Sequence, residues 1–147
     1  MKINYVEGDA TAPRGEGNKI IAHICNDAGR WGAGFVTSLS ERFPSAEKEY
    51  RAWAENAPYG ELPLGDVQFV DVSEKIWVAN MIGQVSKRTR KNVSPIRYHA
   101  VEEALEAVSD RALELDGSVH MPRIGTGLGG GDWGRIVPIL HETLIDA

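Results

Sequence analysis

A short apolar segment near the N-terminus, 19–25 (KIIAHIC), constrains the fold more than any other feature of the sequence. A strand with one exposed face alternates apolar and polar residues, whereas a strand covered on both faces is apolar at nearly every position. The segment is followed by a glycine-containing loop and then by apolar residues at helical spacing over 33–43. This order predicts a central parallel strand of an α/β protein.

Strands and helices alternate along the rest of the chain. Further strands are predicted at 2–7, 66–72, 75–82 and 118–122, with a tight Ser73-Glu74 turn between the second and third of these. Further helices are predicted from Ser45, as N-cap, to Asn56, and at 96–115 and 133–145. The polar segment 83–95 is predicted to be a loop. Together these elements predict a three-layer α/β/α sandwich with a mixed, centrally parallel sheet.

Composition narrows the possible functions. With 147 residues and no visible linker, residues 1–147 are expected to form a single domain. The net charge of −5 argues against nucleic-acid binding, which requires a basic surface. Cys25 is the only cysteine, so no internal disulfide can form. Because no window approaches the ~18 apolar residues of a membrane span, we expect a cytoplasmic protein.

The loop after the buried strand contains Gly29, Gly32 and Gly34 and leads into a predicted helix. Glycines allow positive φ and let the backbone approach a ligand, and amides at a helix N-terminus can bind phosphate. The alternative is a turn that needs glycine for tight packing alone.

A second loop, residues 123–133, has five glycines in seven residues directly after a predicted strand. Such a loop is entropically costly, which favours a close approach to a ligand over a merely flexible connector. The Thr126 hydroxyl could add a donor. Ligands of parallel sheets bind at the carboxyl ends of the strands, so the two loops are predicted to hold a diphosphate through their amides.

Six segments resemble the macrodomain family, over nearly the whole chain: VEGDAT (6–11), IAHICNDAGRWGAGF (21–35), FPSAEKEY (43–50), LGDV (64–67), VANMIGQ (78–84) and MPRIGTGLGGGDW (121–133). The branch that the chain resembles includes yeast ADP-ribose 1″-phosphate phosphatase and terminal ADP-ribose protein glycohydrolase. The resemblance implies a macrodomain sandwich that binds ADP-ribose.

The resemblance also implies roles for particular residues. Asp9 would bind the adenine amino group with Ala10 beside the base, although Asp9 could instead be a turn residue that caps Thr11. Asn26 would bind the distal ribose, with Trp31 or Trp133 in place of the aromatic residue that often covers it. The diphosphate would lie between Gly32, Gly34 and Phe35 on one side and Gly125, Thr126, Gly127, Leu128 and Gly129 on the other.

Three features depart from the glycohydrolase pattern. Gly83-Gln84 stands where that subgroup has a lysine that attacks the anomeric carbon, and Gly129 stands where it has a carboxylate. The family also has a final strand after the last helix, and this sequence ends at Ala147 within that predicted helix.

Three residues are candidates for catalysis. Asp132 could activate water at the anomeric carbon or could simply be the N-cap of the last helix. Asp27, in the first loop, is a second carboxylate. His23 shares a strand face with Cys25 and is either a core histidine or an acid for a leaving group.

These observations predict a hydrolase that releases ADP-ribose from acidic side chains of modified proteins, with no metal and no cofactor. The alternatives are an ADP-ribose 1″-phosphate phosphatase and a reader that binds ADP-ribose without turnover. The expected partners are ADP-ribose and ADP-ribosylated proteins, with neither membrane nor nucleic acid, and the protein is expected to be a monomer.

Overall fold

The central strand β1, Lys19–Asn26, lies in a four-stranded sheet of order β2-β3-β1-β4. The computed structural model describes residues 3–32, 34–85, 96–124 and 131–145. The other three strands are β2 (Val67–Ser73), β3 (Ile76–Gln84) and β4 (Ser118–His120). The α-helices are α1 (Phe35–Arg42), α2 (Pro44–Glu55), α3 (Tyr98–Leu115) and α4 (Trp133–Leu140).

The sheet is mixed and its centre is parallel, as predicted. β1 pairs in parallel with β3, with Ile21 opposite Val78, and with β4, with Ile20 opposite Val119. Only the β2–β3 hairpin is antiparallel among the described strands. The three parallel strands therefore end at one edge of the sheet, from which the two glycine-rich loops leave.

Helices cover both faces of the sheet and form two hydrophobic clusters. Ile20 and Ala22 of β1 face the cluster made with α3 and α4, whereas Ile21 and Cys25 face the cluster made with α1 and α2. All four side chains are buried, which explains why β1 is apolar along its length. This arrangement confirms the predicted α/β/α sandwich.

The predicted first strand is wrong over the residues that the structure describes. Residues 3–7 form no strand, and Tyr5 and Val6 are 62% and 74% exposed. A short alternation can define which side chains share a face, but only a hydrogen-bonding partner makes a strand. Ile3 alone packs against the core on the α3 face.

The boundaries of other elements differ by a few residues from the prediction. Pro44 begins α2 instead of Ser45, because proline at the first helical turn lacks only an N–H that would be unpaired there. The hairpin turn is Glu74–Lys75, with Lys75 at φ 61°. The last helix is α-helical to Leu140 and continues as a π-helical turn, His141–Ile145.

The predicted loop at 83–95 begins later than expected, since Gly83 and Gln84 complete β3 and residues 86–95 lie outside the described part of the chain. Within the described residues, no helix is both long and apolar enough to cross a membrane.

Candidate functional site

The first glycine-rich loop is anchored at the carboxyl edge of the sheet. The Asp27 amide donates to the Gln84 carbonyl (3.1 Å), and the Leu62 amide donates to the Asp27 carbonyl (2.7 Å). The first residue after β1 is therefore held both to the end of β3 and to Leu62. Asp27 is half-buried and, with Glu61 and Leu64, lines a cavity of about 390 Å³ beside the loop.

The Asn26 side chain organises the loop that follows it. Its Oδ1 accepts from the backbone amides of Ala28 (3.0 Å) and Arg30 (3.1 Å), and its Nδ2 donates to the Arg30 carbonyl. The Tyr50 hydroxyl, from α2, lies 2.6 Å from the Asn26 carbonyl and 3.0 Å from its Oδ1. The Asn26 side chain thus satisfies backbone N–H and C=O groups of the loop, which regular secondary structure would otherwise pair.

The three glycines of this loop have two different roles. Gly29 has φ 76°, and a Cβ there would lie 2.4 Å from the Ala54 Cβ, so this glycine permits close packing against α2. Gly32 (φ 77°) and Gly34 (φ 83°) are exposed, and a Cβ at either would meet no atom within 4 Å. Gly34 is the N-cap of α1. The open backbone of Gly32 and Gly34 is available to a ligand, whereas Gly29 matches the packing alternative.

Aromatic rings beneath the loop form part of the core. Trp31 is 7% exposed, and its Nε1 donates to the Val36 carbonyl (3.1 Å) and to Ser40. Its ring contacts His23 edge-on at 5.4 Å and Tyr50 at 5.5 Å. Phe35 is half-buried, 5.8 Å from the His23 ring. The structure therefore places Trp31 in the core under the loop, and Phe35 at the loop's junction with α1.

His23 is a core residue in this structure. Its side chain is 2% exposed, and its Nε2 lies 2.6 Å from Asn80 Oδ1. Burial lowers the pKa of His23 to about 4, partly opposed by the Asn80 hydrogen bond. Cys25 lies on the same face, as predicted, with Sγ 3.7 Å from His23 Nε2, and burial raises the pKa of its thiol. At neutral pH both groups are uncharged and shielded from water.

The end of the second loop is fixed by α3 and α4. Asp132 is the N-cap of α4, with Oδ1 accepting from the Gly134 amide (2.9 Å). Its own amide donates to the Tyr98 hydroxyl (2.9 Å), and the Arg135 guanidinium lies 3.9 Å from the Tyr98 ring centre. The Asp132 residue is exposed, so a capping carboxylate is also accessible to solvent. Gly125, Thr126, Gly127, Leu128 and Gly129 lie outside the described residues.

Asp9 forms the turn contact that was the alternative to adenine binding. Its Oδ1 accepts from the Thr11 amide (2.9 Å) and hydroxyl (2.7 Å), and Oδ2 is 3.9 Å from an Arg42 nitrogen. The hydrogen bonds from Thr11 lower the pKa of Asp9. Thr11 is buried while Asp9 is exposed and Ala10 half-buried. The Asp9 carboxylate is therefore ionised and held in a fixed orientation at the surface.

Two residues of the site were not identified from the sequence. Tyr50 belongs to the segment FPSAEKEY and Tyr98 to a predicted helix, and neither pattern indicates a role in the site. A tyrosine in an amphipathic helix usually indicates core packing, and only the fold shows that these hydroxyls reach Asn26 and Asp132. Among the described residues, no group of three or more His, Cys, Asp or Glu is placed to hold a metal ion.

Gly83-Gln84 is where the resemblance implies that the glycohydrolase subgroup has its lysine, and at Gly83 the packing leaves no room for a side chain. A Cβ at Gly83 would lie 2.9 Å from a Val101 methyl and 3.1 Å from an Ile24 methyl. The next residue, Gln84, is half-buried.

Solved structures with the same fold and related sequences place the chain in a family. A protein of unknown function from Bacteroides thetaiotaomicron superposes with a TM-score of 0.94 at 48% identity, over 99% of this chain and 92% of that one. A macrodomain protein from Streptomyces coelicolor superposes with a TM-score of 0.83 at 48% identity, over 99% and 93% of the two chains. The chain belongs to the macrodomain family.

Curated relatives extend the comparison. Mouse chromodomain-helicase-DNA-binding protein 1-like is 36% identical over 141 residues, which are 89% of this chain but only 15% of that protein. ADP-ribose 1″-phosphate phosphatase of Meyerozyma guilliermondii is 26% identical over 169 residues, covering 99% of this chain and 97% of the phosphatase. No family model matches the chain.

Proposed function

We propose that this macrodomain binds ADP-ribose and hydrolyses it from acidic side chains of modified proteins. The observation that carries the binding proposal is the open backbone of Gly32 and Gly34 at the start of α1, on the carboxyl edge of the sheet. A helix N-terminus with exposed amides suits a diphosphate without requiring a basic surface. This explains how a chain of net charge −5 can bind a dianion.

The remaining ligand contacts follow the resemblance. In the proposal, the ionised Asp9 carboxylate accepts from the adenine amino group, with Ala10 beside the base. Asn26 contacts the distal ribose, and Phe35 lies against the diphosphate. Trp31 supports this loop from beneath instead of covering the sugar, since it is buried. Gly125, Thr126, Gly127, Leu128 and Gly129 form the opposite wall.

The proposed reaction is a direct displacement by water. Water adds to the anomeric carbon, the bond from that carbon to the glutamate or aspartate oxygen breaks, and the protein carboxylate leaves. Asp132 accepts the proton of the water, because its exposed carboxylate stands at the end of the second loop. Asp27 is the second candidate base. A covalent lysine intermediate has no counterpart here, since Gly83-Gln84 stands where the resemblance would place that lysine.

A second candidate function is hydrolysis of ADP-ribose 1″-phosphate, which is favoured by the relatives named for that activity. There water would attack the terminal phosphorus and release inorganic phosphate, leaving the anomeric C–O bond intact. A histidine acid would have aided this reaction, but His23 is buried and has a lowered pKa. The phosphatase proposal therefore also depends on Asp132 or Asp27.

One experiment separates these functions. Binding of ADP-ribose is measured by calorimetry, and the protein is then incubated with glutamate-linked ADP-ribosylated protein and, separately, with ADP-ribose 1″-phosphate. Release of free ADP-ribose, unchanged by a chelator, supports the metal-independent hydrolase, whereas phosphate release alone supports the phosphatase. Binding without either product identifies a reader. No binding of ADP-ribose contradicts the proposal as a whole.

A further inference from the structure

Tyr50 is a fully buried residue whose hydroxyl reaches the first loop from the neighbouring helix. The side chain is 0% exposed, packed with Trp31 and Leu39 between α1, α2 and the sheet. Its hydroxyl lies 2.6 Å from the Asn26 carbonyl and 3.0 Å from Asn26 Oδ1. Burial raises the pKa of Tyr50, so the phenol remains a protonated donor at all physiological pH values.

These contacts leave Asn26 with little freedom. Its Oδ1 accepts from the amides of Ala28 and Arg30 and lies 3.0 Å from the Tyr50 hydroxyl, whose single hydrogen is shared between this oxygen and the Asn26 carbonyl. One Nδ2 hydrogen is used by the Arg30 carbonyl. A carboxamide nitrogen carries two hydrogens, so a single donor of this side chain is left for a ligand. The orientation of that donor is set by the groups that hold Oδ1.

We propose that Tyr50 is a positioning residue for the distal ribose, acting through Asn26. It fixes the carboxamide plane so that the remaining Nδ2 hydrogen is presented to the sugar, not lost to a rotated conformer. The inference rests on the proposed function, because it requires that Asn26 contact the ribose. It also gives a function to one residue of the segment FPSAEKEY (43–50), which is part of the resemblance to the family.

The packing of α2 explains how this segment brings the hydroxyl to the loop. Ala46 is buried, and its carbonyl accepts from Asn80 Nδ2 (3.3 Å), so α2 lies close to β3. One turn later Tyr50 projects from the same face toward the end of β1. A small residue at 46 and a tyrosine at 50 are therefore both needed to place the hydroxyl.

The test compares two ligands that differ only in the distal ribose, namely ADP-ribose and ADP. Tyr50→Phe removes the hydroxyl and keeps the ring. Loss of one hydrogen bond to a ligand-binding side chain should weaken ADP-ribose binding by about 10-fold, while ADP affinity changes less than about twofold. Tyr59→Phe is the matched control, because Tyr59 is 102% exposed and the loss of its hydroxyl should alter neither affinity.

Equal weakening of both ligands would show a merely structural role for the hydroxyl and would overturn the proposal, as would unchanged ADP-ribose affinity. If the wild type bound neither ligand, the proposed function would fail instead, which is a distinguishable result. If Tyr50→Phe does not fold, the wild type still tests the contact between Asn26 and the ribose that the proposal requires. Its Asn26 side-chain amide resonances should shift with ADP-ribose and not with ADP, and an equal shift with both ligands contradicts the proposal.

Discussion

His23 on β1 and Asn80 on β3 are joined by a buried hydrogen bond of 2.6 Å between Nε2 and Oδ1. The Asn80 amide in turn donates to Gln68 Oε1 (3.0 Å) and to the Ala46 carbonyl (3.3 Å). A carboxamide that donates through Nδ2 must accept through Oδ1, so the network assigns the Nε2–H tautomer to His23. This chain of contacts ties the central strands to β2 and α2 beneath the first loop.

The first prediction concerns pH and His23. Because its pKa is lowered to about 4 in the folded protein from the ordinary 6.5, the unfolded chain binds a proton where the native state does not. The contribution of His23 to the free energy of unfolding is therefore fully present above pH 6.5 and decreases as the pH drops toward about 4. Below about pH 4 this contribution no longer changes. The loss should amount to about 3 kcal/mol, measured by urea unfolding across this range.

The control for this prediction is His23→Gln, whose amide can replace the Nε2–H donor without titrating. The difference in unfolding free energy between wild type and variant should narrow as the pH falls from 6.5 to 4. Cys25, the nearest titratable side chain on that face, has a raised pKa and stays neutral throughout. A difference that does not change with pH would show that His23 titrates normally.

The second prediction separates the two roles of Asp132. Asp132→Asn keeps a good N-cap and should change stability by only a few tenths of a kcal/mol, whereas Asp132→Ala should cost about 1 kcal/mol. If Asp132 is the general base, both variants should lose turnover by about 10²- to 10⁴-fold while ADP-ribose affinity stays close to wild type. Full turnover by Asp132→Asn would remove this residue from the mechanism and leave Asp27 as the candidate.

The third prediction tests the adenine contact of Asp9. Asp9→Ala should weaken binding of ADP-ribose by about 10-fold or more, since a hydrogen bond to a charged acceptor is lost. Calorimetry with the hypoxanthine analogue, which lacks the exocyclic amine, provides the control, because wild type should lose affinity for it while the variant should not discriminate. Equal discrimination by both proteins would mean that Asp9 serves only the turn with Thr11.

The sequence predicted the layers of this fold better than it predicted the N-terminal strand and the exact ends of the helices. The apolar pattern of 19–25 identified the central strand, because a strand that is buried on both faces has apolar residues at consecutive positions. The alternation at 2–7 resembled a strand equally well, but a sheet partner is a property of the tertiary fold that a local pattern does not contain. The start of α2 illustrates the same limit, since Ser45 was expected as its N-cap and Pro44 begins the helix.

The site shows the same division between local and tertiary information. Glycine content indicated where the backbone could approach a ligand, but it did not separate Gly29, which packs against Ala54, from the open Gly32 and Gly34. That distinction depends on where α2 lies. The contacts of the Tyr50 hydroxyl could not be predicted from the sequence either, because Asn26 is 24 residues away and the position of α2 brings the two together.

The fourth prediction uses this contrast between two glycines of one loop. Gly29 and Gly32 have nearly the same φ, 76° and 77°, so alanine at either should cost about 1–2 kcal/mol of backbone strain. Only at Gly29 does the new Cβ meet the Ala54 Cβ, at 2.4 Å, so Gly29→Ala should lose roughly a further 1–3 kcal/mol. Urea unfolding of the two variants measures the difference.

A double mutant tests whether contact with α2 causes that difference. Ala54→Gly alone should cost about 1 kcal/mol through lower helix propensity, but in the Gly29→Ala background it removes the clash and should restore stability. The two changes should therefore be strongly non-additive, and in the Gly32→Ala background Ala54→Gly should simply add. If Gly29→Ala and Gly32→Ala were equally stable, close packing of Gly29 against Ala54 would not be what holds the loop against α2.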